Sequence, residues 1–267
     1  MSVIALLTDF GVSDQYVGTM KGVILSNAPN THLVDISHEV SPHNVVQAGY
    51  LLWASYKYFP EGTIFVCVVD PGVGSTRKII CVRTSRHLFL APDNGLLNFV
   101  LREENVREAI EVRAEGGAIR GLPAIHLAGD SSTFHGRDIF APVAAALSQG
   151  KNWSPDVPRI TLDVPPPQFV DSKNSKITPR ILHIDRFGNL ITNIRIDEKD
   201  EDKNFAPTLH VGRTQVGTWI SNYAEAPKKK PCLILGSSGL VEIVAKNSSA
   251  QQLLRASLST PITISRK

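Results

Sequence analysis

Asp70 and Arg77 bracket the stretch D-P-G-V-G-S-T-R, which follows the apolar run Thr63–Val69. A run rich in β-branched residues that stops at Pro71, Gly72 and Gly74 predicts a buried strand delivering Asp70 to the edge of a sheet. That edge is where open α/β sheets bind ligands. The two glycines permit positive φ or close backbone approach, so the turn can bring Arg77 back beside Asp70. An acid and a permanent cation then share one small pocket. An ordinary turn with a surface ion pair fits the same eight residues. A phosphate cradle does not, because G-x-x-x-x-G-K-[ST] before a helix is missing and the glycines lead instead into the strand-like K-I-I-C-V-R-T.

Two further groups have the same character. The first apolar run, Val3–Leu7, ends in T-D-F-G, which places Asp9 at a strand terminus before a glycine, as Asp70 is placed later. T-F-H-G-R-D at Thr133–Asp138 precedes the Ala-rich segment Ile139–Leu147 and puts His135, Arg137 and Asp138 near a helix N-terminus. Such a position suits an anion and disfavours a charged imidazole. His135 as a polar capping-region residue without chemistry is the competing interpretation.

The elements that must position these side chains follow from periodicity. Val17, Met20, Val23 and Ile24 recur at helical spacing, with Ser13 or Asp14 as a cap; Thr31–Ile36 is a second strand. Ser41 and Pro42 are expected as N-cap and first-turn proline of a helix to about Tyr58. Strand, helix, strand, helix, strand predicts a mostly parallel sheet flanked by helices. Lys78–Thr84 and His87–Ala91 continue it as a mixed sheet, P-D-N-G opens a helix over Leu96–Leu101, and the stretch to Pro123 is less periodic. Residues 1–160 are therefore expected as an α/β domain, 161–175 as a Pro-rich linker, and 176–267 as a smaller all-β barrel or sandwich domain. The second domain's polar residues gather at D-R-F-G-N (Asp185–Asn189), N-Y-A-E (Asn222–Glu225) and G-S-S-G-L-V-E (Gly236–Glu242). Turn chemistry alone explains most of these; Tyr223 stands apart, since an aromatic in a turn can stack on a flat ligand.

Composition narrows the function classes. A chain of 267 residues, 42% hydrophobic, can bury a substantial core. Its net charge of +3 is spread out, and the compact cationic run Lys228–Lys230 is a solvated loop rather than a nucleic-acid patch, so no nucleic-acid partner is expected. Cys67, Cys81 and Cys232 lie in apolar runs without zinc spacing, which predicts reduced core cysteines and a cytoplasmic protein. No stretch is long enough to span a bilayer, and the N-terminal run is a first strand rather than a signal peptide.

Taken in order, T-D-F-G, D-P-G-V-G-S-T-R, A-P-D-N-G-L-L (Ala91–Leu97), T-F-H-G-R-D, F-G-N-L-I-T-N (Phe187–Asn193) and S-S-G-L-V-E-I (Ser237–Ile243) resemble the S-adenosyl-L-methionine (SAM) hydroxide adenosyltransferases, or SAM hydrolases, relatives of fluorinase and chlorinase. The resemblance covers essentially the whole chain. It implies an N-terminal α/β domain, a C-terminal β-barrel, and a homotrimer whose sites lie between one subunit's first domain and a neighbour's second. It also implies attack of water or hydroxide at the ribose 5′ carbon of SAM, giving adenosine and L-methionine, with no cofactor and no metal.

By the same resemblance Asp70, Arg77 and His135 serve the nucleophile, with Asp70 and His135 both open as the base. Asp9 meets the ribose hydroxyls, Asp185 the methionine ammonium and Ser237 its carboxylate; Asn189 reads an adenine edge, Tyr223 packs on the ring and the backbone near Ala245 completes the contact. Phe134 and Glu242 belong to matching motifs, the role of Glu242 being open. Where the halogenating relatives have Tyr and a halide-binding Ser this chain has Asp70 and Gly136, both favouring water. Ile191 and Ser238 replace a Trp and an Arg of fluorinase, which leaves the methionine contacts open. Two other classes stay in play: a metal-dependent hydrolase using Asp9, Asp70, His135 and Asp138, and a SAM or adenosine sensor without turnover.

Overall fold

The computed structural model describes residues 2–115, 118–122, 133–163, 165–166, 168–171, 176–196 and 207–265. The chain divides into two compact units, Met1–Pro166 and Pro167–Lys267.

In the first unit the apolar runs become β1 (Val3–Thr8), β2 (His32–Ser37), β3 (Ile64–Val68), β4 (Ile79–Thr84), β5 (Leu88–Pro92) and β6 (Val106–Val112), ordered β2-β1-β3-β5-β4-β6. β1 pairs parallel with β2 and β3, and β3 with β5, whereas β4 is antiparallel to both β5 and β6. The sheet is thus mixed rather than mostly parallel: β2, β1, β3 and β5 run parallel, and the departure falls at β4, where the sequence also suggested a mixed continuation. The cause is the short Ser85–Arg86 turn, which can join only antiparallel neighbours. β6 lies in the stretch that showed little periodicity; after it come the two-residue strands β7 (Ala114–Glu115) and β8 (Ala118–Ile119).

Both faces of β1 and β3 are buried, as continuous apolar strands require. Ile4, Leu6, Val66 and Val68 share a core with α1 (Tyr16–Asn27) and α4 (Ala141–Ser148), whose A-P-V-A-A-A-L is buried on every side. On the opposite face Phe65 stacks on Phe89 at 5.0 Å, with Tyr56 edge-on to Phe89, where α2 (Val45–Ser55) leads into a 3₁₀ turn. α2 packs against α3 (Asn98–Leu101). Two predicted caps move. Neither Ser13 nor Asp14 caps α1, which starts from Gln15 without a side-chain bond. Asn44, not Ser41, caps α2, its side chain accepting from the Gln47 amide, because the chain turns through His43 at φ +66° first.

The second unit contains β9 (Ile181–Ile184), β10 (Leu190–Arg195), β11 (Thr208–Val211), β12 (Thr214–Val216), β13 (Cys232–Leu235), β14 (Leu240–Val244) and β15 (Ile262–Ser265). Among the described residues they form two antiparallel sheets, β13-β14-β10-β9 and β12-β11-β15, with one short helix, α5 (Ala250–Leu254), and a bridge from Trp219 to Leu233 of β13. Gly-turn punctuation marks strands but does not say whether the outermost ones meet. Of the stretch expected as a linker, 164, 167 and 172–175 lie outside the described residues. Val170 within it is buried and bridges Ile194, bonding Asn193 and Arg195 through its backbone.

Candidate active site

β1 and β3 are adjacent and in parallel register, Thr8 opposite Val68, so the residues that follow them emerge on the same edge. A cavity of about 340 Å³ opens there, lined by Asp9, Phe10, Asp70, Phe134, His135 and Gly136 among others. The glycines of D-P-G-V-G-S-T-R divide the work. Gly74 takes φ +77°, while a Cβ on Gly72 would stand 3.1 Å from Arg77 Cγ and 3.3 Å from Ser75 Oγ. Ser75 Oγ donates to the Gly72 carbonyl at 2.6 Å and accepts from the Arg77 amide at 3.2 Å, closing the turn.

The turn delivers Arg77 onto Asp70. Arg77 Nε donates to Asp70 Oδ1 at 2.9 Å and Nη2 pairs with Oδ2, the two side chains being 11% and 6% exposed. The same Nη2 lies 2.8 Å from His135 Nδ1. A guanidinium only donates, so Nδ1 accepts, and the neutral ring carries its proton on Nε2. Burial pushes the His135 pKa down and the Arg77 charge adds to this, against weaker opposing pulls from Asp70 and Asp138. Asp70 and His135 line the cavity and Arg77 does not. The expected pocket shared by acid and cation is therefore a carboxylate and a neutral imidazole facing the cavity, both held by a guanidinium.

His135 opens a helical segment whose first turn, Gly136–Phe140, is a π turn running into α4. Such turns recur at functional sites because the extra residue re-aims side chains. Asp138 is buried and takes both Nε (2.6 Å) and Nη2 (2.9 Å) of Arg137, so it is committed away from the cavity. Arg137 in turn lies over the Phe134 ring at 5.4 Å, and Phe134 packs edge-on against Phe10 and Tyr16. Asp9 Oδ2 accepts from the His43 amide at 2.8 Å. Tyr16 and His43 also line this cavity and escaped the sequence reading: Tyr16 sits on an exposed helix start, and His43 acts through a backbone amide, which leaves no side-chain signature. Among the described residues no group of three or more His, Cys, Asp or Glu is arranged to hold a metal ion.

The second unit has its own cavity, about 680 Å³, which brings together Asp185, Asn189, Tyr223 and Ala245. Asp185 Oδ1 accepts from the amides of Phe187 (2.9 Å) and Asn189 (2.8 Å), and Oδ2 from Asn189 Nδ2 at 2.8 Å. Phe187 and Tyr223 stand 78% and 47% exposed beside it, unusually open for aromatics. Ser237 is exposed on the β13–β14 turn and does not line this cavity, nor does Glu242. Glu242 lies on β14 level with Ile191, its carboxyl so close to Gly236 that a Cβ there would be 1.9 Å from Oε1. Burial raises the Glu242 pKa, and the Asp185 charge adds to it.

A mixed α/β sheet with two acids at one edge, joined to a separate β unit with a second cavity, defines a ligand-handling α/β protein of two domains. The chain belongs to the SAM hydroxide adenosyltransferase family: the family's N-terminal domain matches residues 4–155 and its C-terminal domain residues 179–263. The (R)-S-adenosyl-L-methionine hydrolase of Thermus thermophilus is 32% identical over 99% of this chain and 100% of that protein. The protein of that name from Methanocaldococcus jannaschii is 34% identical over 99% of this chain and 96% of its own length. A fluorinase of an Actinoplanes species is 28% identical over 98% and 97%. A crystal structure of a conserved protein from Thermotoga maritima superposes with a TM-score of 0.82 at 33% identity, covering 98% of this chain and 100% of that one.

Proposed function

We propose that this chain hydrolyses S-adenosyl-L-methionine to adenosine and L-methionine by attack of water on the ribose 5′ carbon. The carrying observation is the Asp70–Arg77–His135 constellation, a carboxylate and a neutral imidazole aimed into one cavity beside Asp9. In this reading the water oxygen forms a bond to C5′ as the C5′–S bond breaks, the bonding pair leaving on sulfur, which departs as the neutral thioether of methionine. The sulfonium is already a good leaving group, so the reaction calls for no metal, no cofactor and no covalent intermediate. Holding the oxygen in line with the breaking bond is the main requirement.

His135 Nε2–H donates to the water and aims a lone pair, while its Nδ1 is occupied by Arg77 and unavailable as a base. The water proton passes to Asp70. The attacking oxygen becomes strongly acidic as its bond to carbon forms, so a carboxylate suffices to take its proton. Asp9 takes the ribose hydroxyls, and Phe134 walls the cavity beside them. The Asp185, Asn189, Tyr223 and Ala245 cavity, with Ser237 and Glu242 on neighbouring turn and strand, receives the adenine and methionine ends. We place the protein in the cytoplasm, the support being that Cys67, Cys81 and Cys232 are free and buried, and no helix of the described residues is long and apolar enough to cross a membrane. A homotrimer in which the first domain's cavity faces a neighbour's second domain accounts for the exposed Phe187 and Tyr223.

Purified protein incubated with SAM, each sulfonium epimer separately, and analysed by chromatography tests the reading. Adenosine and methionine in equal amounts are expected, with the ¹⁸O of labelled water in the 5′-hydroxyl. Turnover no greater than that of Asp70→Ala, or intact SAM recovered from a tight complex, overturns it.

A further inference from the structure

The turn that carries Asp9 is held by a chain of polar groups behind the cavity. The Phe10 amide donates to Thr8 Oγ1 at 3.2 Å, and Thr8 Oγ1 lies 2.9 Å from His38 Nδ1. His38 Nε2 lies 3.0 Å from Asp35 Oδ1, and Asp35 Oδ2 accepts from Lys21 Nζ at 2.6 Å. With Nε2 beside a carboxylate, which only accepts, the neutral ring carries its hydrogen there; the Thr8 hydroxyl, already accepting from Phe10, then donates its proton to the lone pair on Nδ1. The reverse tautomer would set the Nε2 lone pair against the Asp35 carboxylate. His38 also grips the far side of the turn, its carbonyl accepting from the Gly11 amide at 2.7 Å where Gly11 takes φ +67°.

Hydroxyl, imidazole and carboxylate in a row invite comparison with a nucleophilic relay. Thr8 is 0% exposed and its hydroxyl is occupied on both sides, so it attacks nothing. Yet hydrogen bonds at the buried end of this row rigidify what they touch, and the Thr8 hydroxyl joins the residues on each side of Asp9.

We propose that His38 is a positioning residue which, through Thr8 and Gly11, fixes the carboxylate of Asp9 for a ligand's ribose hydroxyls. This rests on the ribose assignment of Asp9 made above. Thr8→Val keeps the branched shape and removes both side-chain bonds; Thr8→Ser keeps the hydroxyl and serves as rescue. Calorimetry on the full chain with adenosine and with 2′-deoxyadenosine separates bracing from general damage. Thr8→Val is expected to weaken adenosine about 10-fold, the loss of one well-placed hydrogen bond of about 1.4 kcal/mol, while 2′-deoxyadenosine changes less than about 2-fold. Thr8→Ser is expected to restore the wild-type ratio. In SAM turnover Thr8→Val raises KM and leaves kcat within about 2-fold. Asp35→Ala, at the 42% exposed end of the chain, carries little risk to folding and is expected to shift the ratio in the same direction, about 3-fold. Wild-type protein that binds neither nucleoside overturns the ribose reading. Binding whose ribo-to-deoxy ratio is unchanged in Thr8→Val and Asp35→Ala overturns the role of His38 alone.

Discussion

Gly136 is the point where the cavity and the core compete for the same space. A Cβ there would stand 3.0 Å from Met20 Sδ, 3.0 Å from Phe134 Cε2 and 3.4 Å from Phe10 Cε2. Met20 is 1% exposed in the core it shares with the sheet and α4 and has little room to yield, whereas Phe134 and Phe10 border the cavity and can. Overpacking of this kind costs about 1–3 kcal/mol, and the open side of Phe134 puts Gly136→Ala toward the lower figure. Replacing glycine by alanine in a helical turn returns up to about 1 kcal/mol, which leaves Gly136→Ala within about 1 kcal/mol of wild type. Serine returns less, and its buried hydroxyl adds about 1–3 kcal/mol wherever it lacks a partner, so Gly136→Ser is expected to lose more than Gly136→Ala. Both push Phe134 into the cavity and raise KM for SAM. Urea unfolding at constant slope and steady-state kinetics measure the two effects. A serine variant as stable as wild type, with unchanged KM, refutes the packing argument.

Arg77→Met strands the 6% exposed Asp70 carboxylate and is expected to destabilise the fold by about 3–5 kcal/mol, whereas Asp70→Leu/Arg77→Met recovers most of that loss while remaining inactive; thermal unfolding of the three proteins decides it. Burial lowers the pKa of His87, His135 and His183. The unfolded chain then binds protons the native one refuses, so this stability is full above about pH 6.5 and declines as pH falls through that value. His87 is 1% exposed among Tyr56, Phe65 and Phe89, and His87→Phe is expected to flatten the acid limb of urea midpoint against pH; an unaltered limb contradicts it. Asn189 commits its amide nitrogen to Asp185, which leaves its oxygen as the acceptor for a base edge. Adenosine is therefore expected to bind about 100-fold or more tightly than inosine, and equal affinities by calorimetry exclude this orientation.

Strand ends were the most readable part of the sequence, since β-branched runs stopped by Asp and Gly mark both the element and the side chain it presents; Asp9 and Asp70 were found that way. Helix starts were less so. Ser41-Pro42 carries the same signal as a true cap, and only the left-handed backbone at His43 shows why Asn44 takes that place. β6, V-R-E-A-I-E-V, hides because charges interrupt its alternation, and its order in the sheet comes from β4. Contacts between distant segments were invisible: nothing local says that Arg77 reaches His135 Nδ1, nor that His38 meets Thr8, because both depend on how far a turn bends. Asp185, Asn189 and Tyr223 were legible as turn residues, but their convergence is a product of the second unit's folding.

Asp9 lies one residue beyond Thr8 and Asp70 two beyond Val68, and that pair is locked opposite one another in the β1–β3 ladder. The offset between the two acids is thus counted in whole residues along hydrogen-bonded backbone, in steps of about 3.3 Å. A slip by one residue would turn every apolar side chain of β1 to the wrong face. Substitutions can change what stands at either end, but the strand ends from which the two acids depart stay in register. The molecule carries a ruler with fixed graduations, and any new substrate must fit its marks.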